Sequence, residues 1–80
     1  MKLSEMKCGD VARVVNVAGE GHLRKRILDL GITRGVEVKL IRIAPLGDPV
    51  EIELRGYRLT LRKSEADVVE FEEVEGGGQQ

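Results

Sequence analysis

Hydrophobic and polar residues alternate along most of this chain, and period-two alternation is the mark of half-buried strands. VARVVNV, residues 11–17, is rich in β-branched residues and lies between Gly9-Asp10 and Ala18-Gly19. It reads as a strand whose alternation is imperfect. Residues 22–30 carry the one helical pattern: Leu23, Ile27 and Leu30 fall at i, i+4 and i+7 on a single stripe. Gly31 then stands where a left-handed residue ends a helix, with Ile32 placed to fold back on the last turn. The start is less well marked, since Gly19-Glu20-Gly21 precedes it and no Ser, Thr, Asp or Asn caps it.

Residues 36–44 predict a long strand with a change of phase. Val36, Val38 and Leu40 share one phase, whereas Ile41 and Ile43 belong to the other. A one-residue slip reverses the apolar face, so a bulge or sharp bend is expected near Leu40-Ile41. After the loop from Pro45 to Pro49 comes a hairpin, with Val50, Ile52 and Leu54 on one arm and Tyr57, Leu59 and Leu61 on the other. A two-residue loop at Arg55-Gly56 sets Leu54 opposite Tyr57, Ile52 opposite Leu59, Val50 opposite Leu61 and Glu53 opposite Arg58. Arg-Gly is a weaker hairpin signal than Asn-Gly and leaves a type I turn with a G1 bulge open. Ser64, three residues before Asp67, resembles a capping box and predicts one helical turn. Residues 68–74 predict the last strand. The whole reads as mainly β: a small, closed, strongly bent barrel of about five strands with one α-helix, since closure removes exposed edges. It forms a single domain over residues 1–75, followed by a disordered tail at 76–80.

Composition narrows the chemistry. Eighty residues support only a thin core, and the single Cys8 excludes an intrachain disulfide that could reinforce it. His22 is the only histidine, and no CxxC or HxxxH spacing occurs. No segment approaches the ~20 apolar residues of a membrane span, and the first ten residues lack the apolar run of a signal peptide. A cytoplasmic location is expected. Lys and Arg total 13 against 14 Asp and Glu; without a basic excess, nucleic acid is an unfavoured partner.

Catalysis is not expected. The hydroxyls of Ser4, Thr33, Thr60 and Ser64 lie in no nucleophile context, and one histidine is the only imidazole base. His22 reads as a solvated surface residue and Cys8 as a partly buried, inert thiol, so neither a metal site nor a cofactor is predicted. Gly19-Glu20-Gly21 lacks the remainder of a phosphate loop. Arg24, Lys25 and Arg26 read as a solvated helix face, and the two rings, Tyr57 and Phe71, sit at core-like positions. Two leucines do not fit so readily. Leu28 lies about 140° from Leu23 around the helix, and Leu46 sits between Pro45 and Gly47 in a loop. With Arg24, which lies about 40° from Leu28, they are the candidate partner-binding residues.

Three segments taken together, LRKRILDLGI from Leu23, IRIAPLGDPVEIEL from Ile41 and LRKSEADVVEFE from Leu61, resemble the ferrous iron transport protein A (FeoA) family over residues 3–74. The chain departs from that family at Thr33-Arg34-Gly35 and at Cys8, where proline is frequent; both are turn positions. The resemblance implies an SH3-like barrel related to the C-terminal domain of iron-dependent repressors. It also implies an accessory or regulatory role in ferrous iron uptake, through binding a membrane permease that carries a GTPase domain. The protein would then be peripheral at the inner membrane through that partner, with homo-oligomerisation left open. The alternative is an SH3-like regulatory domain of a metal-dependent repressor system, which the lack of DNA-binding helices disfavours.

Overall fold

In the computed structural model, which describes residues 1–74, the chain begins with a 3-10 turn at Leu3–Glu5. Then follow β1 (Val11–Val17), α1 (Gly21–Asp29), β2 (Glu37–Ile43), β3 (Val50–Leu54), β4 (Tyr57–Leu61), α2 (Lys63–Ala66) and β5 (Val69–Glu73). The expected disordered tail lies outside the described residues. The strands form one antiparallel sheet in the order β4-β3-β2-β1-β5.

The hairpin has the register that its alternation dictates, with Leu54 opposite Tyr57, Ile52 opposite Leu59, Val50 opposite Leu61 and Glu53 opposite Arg58. Its turn is of the I′ kind, because both central residues have positive φ, 51° at Arg55 and 85° at Gly56. Arg55 tolerates the left-handed region because the flanking strands fix their own twist. The phase slip in β2 is a bulge: Leu40 pairs with Ile52 and Arg42 with Glu51, leaving Ile41 as the extra residue. The imperfect alternation of β1 has the same cause. Val14 pairs with Phe71 and Asn16 with Glu70, so Val15 is extra there. Both bulges bend the sheet about one core, which includes Ala12, Val14, Ile27, Ile32, Val38, Leu40, Ile52, Leu54, Leu61, Val69 and Phe71.

The sheet does not close, contrary to the expectation of a closed barrel. β4 and β5 stand at its two ends and do not pair. The outer edge of β5 is met instead by the N-terminus: the Met1 ammonium donates to the Phe71 carbonyl at 2.6 Å, and the Phe71 N–H donates to the Met1 carbonyl at 2.8 Å. Backbone groups on that edge find partners without β4, so closure is not needed to satisfy them.

The end of α1 is the best-determined joint in the fold. The Gly31 N–H donates to the Leu28 carbonyl at 3.0 Å and the Ile32 N–H to the Ile27 carbonyl at 3.4 Å. These two bonds make a Schellman closure, with Ile27 and Ile32 fully buried together beneath it. Tyr57 differs from expectation: it is 45% exposed rather than in the core. Its ring lies over the helix end, where its hydroxyl donates to the Leu30 carbonyl at 2.6 Å, an acceptor that the helix leaves unpaired.

α2 also starts earlier than its sequence suggests. Arg62 rather than Ser64 occupies the cap position, and the Glu65 carboxylate accepts the Arg62 N–H at 2.9 Å. The Ser64–Asp67 box does not form, because the Asp67 N–H that a Ser64 cap would accept donates to the Lys63 carbonyl at 2.9 Å. The Lys63 N–H is held by the Asp48 carboxylate, also at 2.9 Å.

Gly31 has φ 96°, and a Cβ there would stand 2.9 Å from the Tyr57 hydroxyl and 3.6 Å from Leu54 Cδ1. Gly31→Val is therefore expected to lose more than about 1 kcal/mol of stability. Urea unfolding measures the loss, and an unchanged midpoint contradicts this account of the helix end.

Candidate interaction surfaces

Side chains able to do chemistry are dispersed. His22 is exposed in the first turn of α1. Cys8, expected to be partly buried, is exposed as well, because the turn around it lies outside the sheet. Among the described residues, no three His, Cys, Asp or Glu side chains gather closely enough to hold a metal ion.

The most exposed large apolar residue is Leu46, at 96%. The loop between β2 and β3 holds it out rigidly. The Gly47 N–H donates to the Ala44 carbonyl at 2.7 Å, and the Ala44 N–H donates to the Pro49 carbonyl at 3.1 Å. Asp48 ties the same loop to α2 through the Lys63 N–H. An apolar tip that is already ordered loses little entropy when a partner covers it.

Arg24 and Leu28 lie elsewhere. Arg24 Nε donates to the Val17 carbonyl at 3.1 Å, so the side chain braces the end of β1. Leu28 is half-buried and packs against the core. Around α1, Arg26 lies about 160° from Leu28, and it is the Arg26 flank that meets the Leu46 loop. Arg26 shares a groove of about 410 Å³ with Asp48, Pro49, Thr60, Arg62 and Glu65. Thus the three residues singled out in the sequence do not form one patch: Leu46 stands on one side of α1 and the Arg24–Leu28 flank on the other.

Two features of this region escape a reading of the sequence. One is Glu65, which is only 8% exposed and accepts from Arg26 Nε at 2.7 Å as well as from the Arg62 N–H. The Arg62 N–H, then the Arg26 guanidinium, hold its carboxyl below the ordinary range against the opposing effect of burial. The other is an apolar pocket of about 170 Å³ on the far side of the loop, walled in part by Leu3, Ile43, Val50 and Ala66. Its sequence signal was the slip in β2, which turns Ile43 out of the core and leaves it 37% exposed.

Comparison with known proteins agrees with this fold. The FeoA domain family model matches residues 1–73. A Porphyromonas gingivalis protein, described as an Fe(2+) transport protein A/Fe(2+) transporter FeoB fusion, is 42% identical over 72 residues. That match takes in 90% of this chain but spans only 8% of the fusion protein. The solution structure of FeoA from Chlorobium tepidum is 44% identical with a TM-score of 0.83, over 100% of this chain and 79% of that one. Zinc-complexed FeoA from Stenotrophomonas maltophilia, described as a prokaryotic SH3 domain protein, is 30% identical with a TM-score of 0.78, over 90% of this chain and 89% of that one. IdeR of T. acidophilum shares the fold alone: the TM-score is 0.82 at 13% identity, over 92% of this chain and 34% of that one.

The depressed Glu65 pKa fixes a pH dependence. Because the folded value lies below the usual 4.5, its stabilisation is complete above about pH 4.5 and fades as pH falls through the folded value. Glu65→Gln is expected to cost about 1–2 kcal/mol at pH 7, the exposed Arg26 end being screened by solvent. That cost should shrink as unfolding is followed below about pH 4.5; a cost constant down to pH 3 contradicts the assignment. With no ligand cluster among the described residues, Fe(II) is expected to bind at best weakly and chelators to leave the melting curve unchanged. Anaerobic binding at micromolar strength (about −8 kcal/mol), lost in His22→Ala, would overturn that expectation.

Proposed function

The chain belongs to the FeoA family, and from that premise we propose that it is an accessory protein of ferrous iron uptake that binds the cytosolic side of a membrane permease carrying a GTPase domain. The observation that carries this reading is the fusion protein of P. gingivalis, in which an iron transport protein A segment is joined to a FeoB transporter in one chain. A covalent tether holds two such parts at high effective concentration. Where no such tether exists, a contact surface must bring about the same arrangement.

Leu46 is the anchor of that surface, being apolar, braced and almost wholly exposed. The Arg24–Leu28 flank is a second contact on the opposite side of α1. The dispersal of titratable groups supports a non-enzymatic role, in which the protein acts by occupying a site on the permease. A cytoplasmic location follows from the same reading, since a partner's cytosolic domain must be reached. A regulatory domain of a repressor system is the weaker alternative, because likeness at 13% identity supports fold and not function.

The test is capture of the cytosolic GTPase domain of a ferrous-iron permease from the same organism, with stability measured on every variant. Leu46→Asp should keep unfolding free energy within about 0.5 kcal/mol of wild type while sharply weakening capture. Leu28→Asp should lose about 1–3 kcal/mol, since its side chain leans on the core. Wild-type capture by a folded Leu46→Asp protein moves the anchor away from this loop, and no capture by wild type overturns the reading.

A further inference from the structure

The loop that carries Leu46 also walls the apolar pocket. Ile43, Gly47, Val50 and Ala66 form part of its lining, together with the exposed Lys63 and Asp67. Its volume of about 170 Å³ is close to the ~150 Å³ apolar cavity that accepts a benzene-sized group, which is ample for a leucine side chain. Leu46 does not fill this pocket in its own chain, although its neighbour Gly47 forms part of the wall. Knob and hole are therefore contiguous on one molecule and point outward together.

Contiguity decides which occupant fits. Where a projecting group and its receptor adjoin on the same surface, a two-fold axis beside them seats both copies at once and closes the assembly. The charges of the pocket suit the same axis. Lys63 and Asp67 carry opposite signs, and neither side chain forms an ion pair within 4.0 Å among the described residues. A two-fold brings Lys63 of each copy towards Asp67 of the other.

We propose that a second copy of this chain docks here, with Leu46 of each molecule entering the pocket of its mate and Lys63 facing Asp67 across the axis. One leucine and one pocket on each side make a small contact, so the dimer is weak and depends on concentration. It stands independently of the permease reading, because it requires only this chain.

Analytical ultracentrifugation of the full chain from about 10 μM to 1 mM is expected to show a monomer–dimer equilibrium. Leu46→Asp and Ile43→Asp should each weaken association about tenfold or more, as loss of a central apolar anchor does. Mixed in equal amounts, the two variants should associate more strongly than either alone. In the mixed pair, Leu46 of the Ile43→Asp molecule still meets an intact pocket. Lys63→Glu should weaken the dimer, and the double variant Lys63→Glu/Asp67→Lys should restore it; these exposed positions carry the test if Ile43→Asp melts without cooperativity. A wild-type protein that stays monomeric throughout overturns the proposal. So does a dimer insensitive to Leu46→Asp, or a charge swap that restores nothing.

Discussion

β4 and β5 follow one another in sequence yet stand at opposite ends of the sheet, and this constraint shapes the rest of the molecule. In a flat five-stranded sheet the two edges lie about 19 Å apart. The connection between Leu61 and Val69 spends four residues on α2, which advances only about 6 Å. The steps outside the helix would have to run almost fully extended to cover the rest, so the connection is far easier across a curled sheet, and the bulges at Ile41 and Val15 supply the bend. Glu65 secures the crossing. Its buried carboxylate joins the first N–H of the connection to Arg26 on α1, so one side chain fixes α2 against both the strand before it and the helix above it.

The working surface depends on that same crossing. Asp48 in the β2–β3 loop reaches the Lys63 N–H, so the loop takes its position from α2, and α2 takes its own from Glu65. Leu46, the groove beside Arg26 and the apolar pocket are consequently held in one fixed relation. A leucine at the tip of a mobile loop would lose ordering entropy with each contact it made; here the backbone bonds of Ala44, Gly47 and Pro49 have removed that cost beforehand. The exposed apolar tip is thus a product of the scaffold, its links made by backbone N–H groups that a carboxylate or carbonyl accepts and by the Arg26 guanidinium on Glu65.

Local features of the fold were legible in the sequence wherever one short segment contained all the participants. The hairpin register follows from the alternation around Gly56, the Schellman closure from Leu30-Gly31-Ile32, and the β2 bulge from the clash of phase between Leu40 and Ile41. Features decided by distant groups were not legible. The cap of α2 lies at Arg62, and the next N–H, that of Lys63, is held by Asp48 fifteen residues earlier. The cover on the β5 edge comes from Met1 meeting Phe71, seventy residues away. Tyr57 left the core because a carbonyl at Leu30 lies within its reach. For the candidate surface, Leu46 was visible as an apolar residue out of place. Its separation from Arg24 and Leu28 was not, since only the fold decides which flank of α1 meets the loop.

One leucine is proposed for two contacts, and their relative strengths would decide which prevails. If Leu46 anchors both the dimer and the permease complex, the two are mutually exclusive, and each weakens the other by the law of mass action. In a fused arrangement the tether sets an effective concentration that can reach the millimolar range, so even a weak permease contact is kept. Without such a tether, the domain competes with itself: raising its concentration fills both equilibria, and dimerisation grows with the square of the monomer concentration while permease binding grows with the first power. A weak dimer therefore withholds Leu46 only when the free monomer concentration approaches the dimer dissociation constant. At low abundance the anchor is free, and the permease contact has no rival.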